Sequence, residues 1–545
     1  MLPRLAAGAR HSASGLCRRA VKGHQSELNR AACPLLFSSK VRTVGDYGGK
    51  GQPYLAFFSH RIGNISAEQG GKNDSRRHYY AIGIGIAVVL SVVGPRFDDL
   101  KCGFLNRFWQ LTLTSHFVPG TPVIAQAKEL SDIKQAIYPV LDLDAANAKL
   151  KASEQSYTSG VNGTAGEISV SRFDILRLPS NSPCEDDFAF GTVDVGQERD
   201  WQFWGVYDGH AGWATSALLR NSLIVYVGRE IKNLLSMQGG TATPEAIDAA
   251  ITSAFLRLDG EIIDDGLKAM TDSQTPGEAV SRTAPARAGS CALLAVHDPV
   301  NSLLRVACVG DSRAVLGRRP SSGGDGNTWT TIQLSSDQTG FNPHECARLA
   351  QNHPGESKII DPKSGRLLGI AVTRAFGDHR WKWPSAAIER WTSNYFGSGL
   401  RPHYKTPPYM TAEPVITTTT VQKGDFVILA SDGFWDRMTN KDAVNCVSKW
   451  VNREALSQKR VLSEWSIHKS KGVGFPEGKV SPDTFVVEDE NVATHLVRNA
   501  LGGNLRDHFC AELSLQCPDS RYERDDITVQ VIFFGDVERS KSARI

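Results

Sequence analysis

Residues 203–207 form an apolar run too short for an amphipathic helix, and they read as a buried strand ending in Asp208-Gly209-His210. Residues 426–430 repeat the pattern and run into Ser431-Asp432-Gly433-Phe434-Trp435-Asp436. Asp525-Asp526 stand before a third run, 527–534, and Glu185-Asp186-Asp187 before a short apolar alternation. Any one of these reads as a turn, since Asp-Gly is among the commonest hairpin pairs. Three core strands far apart in sequence, each with an aspartate at one end and a further acidic trio nearby, predict instead that the acids converge.

Carboxylate clusters poor in histidine suit hard divalent cations such as Mg²⁺ or Mn²⁺, which prefer oxygen ligands and keep several waters. Zinc would ask for more His or Cys. Two such ions about 3.5–4 Å apart lower the pKa of a shared water and hold a phosphoryl oxygen in line for displacement. Phosphoester hydrolysis is the reaction class that follows. His210, two residues beyond Asp208, is placed to protonate the leaving alkoxide. The alternative for His210 is an ordinary histidine near a helix start.

These residues need rigid elements to hold them. Residues 212–235 read as a long helix, and a second begins at Thr243 with Pro244 at its first position and Ile247, Ile251, Phe255 and Leu258 along one face. A polar insertion with Gly and Pro is expected over 266–288. Short apolar runs follow at 291–297, 303–309 and 314–317, the last two joined by Gly310-Asp311-Ser312-Arg313 into an expected hairpin. Asn342, Pro343 and Glu345 form an expected capping box, and a Trp-rich loop is expected from His379 to Pro408. Residues 153–166 read as a linker, and the regular body starts near Ile168.

In a chain of 545 residues, 41% hydrophobic and 22% charged, a large globular core is expected. A net charge of +3, with no basic block interleaved with aromatics in the body, gives no reason to expect nucleic-acid binding. Ten cysteines without a Cys-x-x-Cys pair argue for reduced thiols over a disulfide framework or a zinc site. The first 60 residues carry nine Lys and Arg against only Glu27 and Asp46. That Arg- and Ser-rich, acid-poor start has the composition of a mitochondrial transit peptide, with a disordered basic tail as the alternative. Residues 79–94 are uncharged and bracketed by Arg76, Arg77 and Arg96. They are short for a membrane span, yet no polar face turns outward, and a single inner-membrane anchor is read over a soluble core helix.

Five ordered motifs resemble those of the metal-dependent type 2C Ser/Thr protein phosphatases. They are Tyr207-Asp208-Gly209-His210-Ala211-Gly212, Gly310-Asp311-Ser312-Arg313, Thr373-Arg374-Ala375-Phe376-Gly377-Asp378, Ser431-Asp432-Gly433-Phe434-Trp435-Asp436 and Arg524-Asp525-Asp526. The resemblance covers about 168–534 and implies an α+β fold, a central β-sandwich of two antiparallel sheets flanked by helices on both outer faces. It also implies two Mg²⁺ or Mn²⁺ ions and a third, weaker one. On that resemblance Asp208 bridges both metals, Gly209 offers its carbonyl, and Asp432 and Asp525 are the remaining direct ligands. Glu185 and Asp186 match acids that hydrogen-bond metal-held water, Asp311 and Asp436 match acids of the third ion, and His210 matches the general acid.

One departure is clear. The family places a phosphate-gripping arginine four residues before the first acid, whereas this chain has Asn181, an amide that cannot make the bidentate charged contact. Arg172 or Arg177 is expected to compensate. That departure, with Asn181-Ser182-Pro183, Gly365-Arg366-Leu367, Lys382-Trp383 and the run 406–414, resembles the mitochondrial pyruvate dehydrogenase phosphatase branch. The resemblance implies a phosphoprotein substrate, pyruvate dehydrogenase, for a catalytic body facing the matrix; a body facing the intermembrane space would need another. A catalytically silent phosphoprotein-binding protein would have lost a metal ligand, and a two-metal phosphodiesterase fits the chemistry without fitting the ordered motifs. The expected organisation is targeting region 1–75, anchor 76–97, linker 98–166, catalytic domain 167–537 and tail 538–545.

Overall fold

The computed structural model describes residues 140–158, 168–319, 329–452 and 479–535. The proposed targeting region and anchor lie outside them. No helix among the described residues is long and apolar enough to cross a membrane.

Among the described residues, fourteen strands assemble into two antiparallel sheets and a small ribbon. The first sheet contains β1 (Gln155–Thr158), β2 (Val170–Leu178), β9 (Arg313–Arg318), β10 (Thr330–Gln333), β13 (Phe426–Ala430) and β14 (Ile527–Phe534), in the order β1-β2-β14-β13-β9-β10. The second contains β3 (Asp187–Val193), β4 (Trp201–Tyr207), β7 (Ala292–Asp298), β8 (Leu303–Val309) and β12 (Val415–Thr420), in the order β12-β8-β7-β4-β3. The ribbon joins β5 (Gly209–His210), β6 (Gly289–Ser290) and β11 (Phe376–Gly377).

Alternation along each strand sends one set of side chains between the sheets and the other outward. Trp204, Val206, Leu293 and Val306 of the second sheet meet Leu316, Val427, Leu429 and Ile532 of the first in the inter-sheet core. In the central strands, such as β13, β14 and β7, the outward sets are also buried, because helices cover both outer faces. Six helices build the core on the second sheet: α2 (Ala214–Met237), α3 (Pro244–Asp272), α4 (Pro276–Arg287), α5 (Pro343–Asn352), α6 (His379–Lys382) and α7 (Ser385–Asn394). Outside the first sheet lie α1 (Leu143–Lys151), α8 (Asp432–Trp435), α9 (Asn440–Asn452), α10 (Val492–Ala500) and α11 (Arg506–Ser514). A short α12 (Asp519–Glu523) leads into β14. Strands covered on both faces read as largely apolar runs, which is why β13 stands out in the sequence, and β14 with it despite its buried Thr528 and Gln530. The expected helix-flanked antiparallel sandwich is the observed one.

Several local expectations change. Thr243 caps α3 as expected, accepting from the Ala246 N–H at 3.2 Å. The supposed insertion at 266–288, however, is the end of α3 followed by α4. Gly266 is no breaker: a Cβ there would lie 2.6 Å from the Ala286 Cβ, so glycine lets the two helices touch. Thr275 caps α4 by accepting from the Glu278 N–H at 3.1 Å. The predicted hairpin at 310–313 is a crossover, because β8 belongs to the second sheet and β9 to the first. Gly310, at φ 101°, makes that crossing beside Cys291. The Trp-rich loop contains α6 and α7, and the linker is shortened by α1 and by β1, which pairs with β2. Asn342 does cap α5, accepting from His344 N–H at 3.0 Å, but Glu345 turns away from the cap. There is no capping box.

Candidate active site

The sandwich brings strand ends from both sheets to one edge. Asp208 follows β4, Asp432 follows β13, and Asp525-Asp526 precede β14. The Asp432 N–H donates to Asp208 Oδ2 at 3.3 Å, which ties the two sheets together at this point. Asp186 Oδ2 accepts from Thr528 Oγ1 at 2.7 Å, and Glu185 Oε1 from the Gly212 N–H at 2.6 Å. Two glycines permit the approach: a Cβ on Gly209 would lie 2.1 Å from the Glu185 carbonyl oxygen, and one on Gly433 would lie 2.2 Å from that of Asp526. The structure therefore gathers Asp208, Gly209, Asp432, Asp525, Glu185, Asp186 and Asp311, with Asp436 at the margin among Lys479, Asp525 and Arg313.

Burial first, and then the charges of Asp432, Asp186, Asp311 and Asp525, push the Asp208 carboxyl well above the usual range. Asp432 is raised in the same way by burial and by Asp311 and Asp525. Asp186 is pushed up to about 8 by burial and Asp526. Asp432 Oδ1 is buried with no hydrogen-bond partner. An oxygen-rich set with one orphaned buried oxygen and strong mutual repulsion fits a hard divalent cation, which would satisfy the oxygen and neutralise the charge. Cys291, unforeseen from the sequence, donates its Sγ–H to Asp311 Oδ1 at 3.2 Å, and single ligand atoms of Asp208, Cys291 and Asp311 lie within 4.8 Å of one another. Burial and the two acids raise its thiol well above the usual range, so it is a protonated donor here.

Asp526 has a different job from Asp525. Its Oδ1 accepts from the N–H groups of Ser180 at 2.5 Å and Asn181 at 3.0 Å, and its Oδ2 from that of Glu185 at 2.7 Å. Burial opposes ionisation, but these backbone donors win and hold Asp526 below the usual carboxylate range. One carboxylate thus folds the loop that carries Asn181, Glu185 and Asp186.

The ribbon places His210. Its Nε2 meets Asp378 Oδ2 at 2.6 Å, with the histidine side chain 24% exposed and the aspartate side chain 1%. A Cβ on Gly289 would lie 2.1 Å from His210 Nε2, so only glycine fits between them. Burial pulls the imidazole pKa down, but Asp378, Asp311 and Glu185 outweigh it and leave the net above the ordinary value. Asp378 ends a motif already noted in the sequence; that it partners His210 required the ribbon.

Neither expected substitute for the missing arginine is free to serve. Arg172 is bound to Asp174 and the Glu490 carbonyl, six residues up β2 from Leu178 and so about 20 Å from the site end. Arg177 donates to the Asp186 carbonyl and to Asp187 Oδ1, both at 3.1 Å. Asn181 Oδ1 accepts from the Ser182 N–H at 3.0 Å. Arg521 of α12 also lies at the rim, 2.7 Å from Asp525 Oδ1 and with its side chain 36% exposed.

A family model described as Protein phosphatase 2C matches residues 170–469. The chain belongs to the protein phosphatase 2C family. This phosphatase, a protein Ser/Thr phosphatase, is similar to a protein phosphatase 2C homolog of Schizosaccharomyces pombe, 38% identical over 412 residues, 73% of this chain and 86% of that protein. It is similar to the mitochondrial pyruvate dehydrogenase (acetyl-transferring) phosphatase 1 of Saccharomyces cerevisiae, 34% identical over 478 residues, 81% of this chain and 80% of that protein. The Homo sapiens protein of that name is 29% identical over 453 residues, 71% of this chain and 82% of its own length. The family match in the phosphatase ends before Asp525, although β14 lies inside the first sheet between β2 and β13.

Glu345 anchors the motif that ends at Asp378. It accepts from Thr373 Oγ1 at 2.8 Å, from Arg374 NH2 at 2.7 Å and from Arg348 NH2 at 2.8 Å. Burial alone would raise its pKa; the two guanidiniums overcome that and bring it down to about 2 from 4.5. A depressed acid contributes stability above its unfolded pKa and loses it as pH falls through the folded one, here from about 4.5 toward 2. Glu345→Gln is therefore expected to lower unfolding free energy at pH 7 by about 3 kcal/mol. In urea unfolding the gap to the parent protein should shrink at pH 3.5, and a gap that stays constant or widens would contradict this account.

Proposed function

We propose that this phosphatase removes phosphate from serine or threonine of a mitochondrial protein, with pyruvate dehydrogenase as the substrate. The observation that carries the catalytic reading is the meeting of Asp208 and Asp432 across the sandwich, with one Asp432 oxygen buried and unpartnered. Asp208, the Gly209 carbonyl, Asp432 and Asp525 would hold two Mg²⁺ or Mn²⁺ ions, with Glu185 and Asp186 ordering water beside them and Asp311 and Asp436 serving a third. Bound there, the ions supply Lewis-acid activation of water and charge neutralisation of the phosphoryl group.

The protein's own groups supply the rest. His210, with Nε2 held by Asp378, carries a proton on Nδ1 for the departing Ser or Thr oxygen. Its raised pKa keeps the ring charged toward neutral pH. Arg521, swinging from Asp525 to the incoming phosphate, replaces the cation that Asn181 cannot provide. The substrate assignment rests on similarity to the named pyruvate dehydrogenase phosphatases and on the basic, acid-poor amino-terminal stretch.

Phosphoserine-peptide hydrolysis should require added Mn²⁺ or Mg²⁺ and should fall by at least about 10³-fold in Asp208→Asn, given the several kcal/mol a catalytic metal supplies. Full turnover in excess chelator would overturn the metal reading. Arg521→Ala should raise KM for the phosphopeptide by about tenfold with a smaller change in kcat, as loss of one charge-assisted contact implies; an unchanged KM removes Arg521 from phosphate binding. In cells lacking this protein, phosphoserine on pyruvate dehydrogenase should rise, and a level equal to that of parent cells would argue for another substrate.

A further inference from the structure

Behind the ribbon that carries His210 lies a buried ion pair to which none of the roles above applies. Asp259 of α3 and Lys382 of α6 are each only 8% exposed. Lys382 Nζ donates to both Asp259 carboxylate oxygens and to the Ala375 carbonyl, each at 2.7 Å, which uses all three ammonium hydrogens. Asp259 Oδ1 also accepts from the Gly377 N–H at 2.9 Å. The pair therefore grips the backbone on both sides of Phe376, one residue short of Asp378.

That stretch needs holding. Gly377 and Asp378 both have left-handed backbone, at φ 72° and 55°, and an L-residue there is strained. The two turns aim the Asp378 carboxylate back at His210. A Cβ on Gly377 would lie 2.3 Å from the Ala288 carbonyl oxygen, so the chain is confined from the opposite side as well. In a low-dielectric interior neither member of the pair can leave without stranding a charge, which makes this clamp stiffer than neutral hydrogen bonds would be.

We propose that Asp259 and Lys382 are positioning residues for the proton donor: by clamping Ala375 and Gly377 they fix where Asp378 sits, and through it the orientation of His210. This rests on the reading of His210 as general acid. The two can be separated with substrates that differ in leaving group. A serine alkoxide needs a proton to depart, whereas p-nitrophenolate departs readily without one.

The full chain with Mn²⁺ should be assayed on a phosphoserine peptide and on p-nitrophenyl phosphate. In His210→Ala the ratio of peptide to aryl kcat should fall about 10²-fold or more, the usual contribution of a general acid. In Asp259→Asn, and in the double variant Asp259→Asn with Lys382→Met, which strands no charge if a single variant fails to fold, the same ratio should fall about tenfold. The peptide KM should stay within about twofold, because ground-state binding is untouched. Amide exchange of residues 376–378 in the metal-free chain should quicken in these variants. If His210→Ala lowers both substrates by one factor, the general-acid reading fails and this inference with it. If His210→Ala discriminates but the Asp259 and Lys382 variants lower both substrates equally, or leave exchange at 376–378 at the parent rate, the pair is only a structural brace and the inference alone is overturned.

Discussion

Oxygens of Asp208 and Asp311 approach within 4.8 Å beside Cys291, and Asp432 and Asp186 are buried in the same place. At that separation two like charges repel by roughly 3–4 kcal/mol for an effective dielectric of about 20. Left to themselves these acids would move apart or take up protons, and the raised carboxyls of Asp208 and Asp432 express that pressure. Much of the surrounding architecture is intelligible as the means of holding repelling groups at a common edge until a divalent cation relieves them.

The sandwich supplies the force. Each sheet is packed on both faces, so the strands that end in the acids cannot slide without opening a core. The backbone takes up the remaining work: the Asp432 N–H is given to Asp208, and those of Ser180, Asn181 and Glu185 to Asp526. Glycines at 209, 289 and 433 stand where a side chain would collide with the facing strand or loop. Asp526 remains an ionised acid, through backbone donors, beside neighbours that burial pushes the other way. Adjacent aspartates thus serve opposite purposes, one folding a loop and the other facing the centre.

How far the sequence alone could be read depended on whether a signal was local. The runs at 303–309 and 527–534 match β8 and β14 residue for residue, since burial on both faces leaves a mainly apolar stretch, interrupted only by Arg305 in the first and by Thr528 and Gln530 in the second. Thr243 with Pro244 marked a helix start because a cap is a contact over three residues. The errors share the opposite character. Residues 266–288 read as an insertion opening at Gly266, because the reason that residue is glycine is Ala286 on another helix. The turn at 310–313 read as a hairpin because nothing in its own residues says that the next strand joins a different sheet. Arg172 and Arg177 are claimed by partners that only the fold reveals: Arg172 by Asp174 on its own strand and by the Glu490 carbonyl 318 residues away, Arg177 by Asp186 and Asp187 across the loop that joins β2 to β3.

The site divides along the same line. Acid type, glycine placement and the order of motifs are written along the chain, and they sufficed for the family, the antiparallel sandwich and the candidate ligands Asp208, Asp432 and Asp525. Which acids face each other was not, because pairing of Asp208 with Asp432, His210 with Asp378, and Asp259 with Lys382 spans 224, 168 and 123 residues. Contacts at such separations leave no periodicity in a sequence; they exist only once two sheets and a three-stranded ribbon have closed, when packing of whole layers decides which strand ends become neighbours.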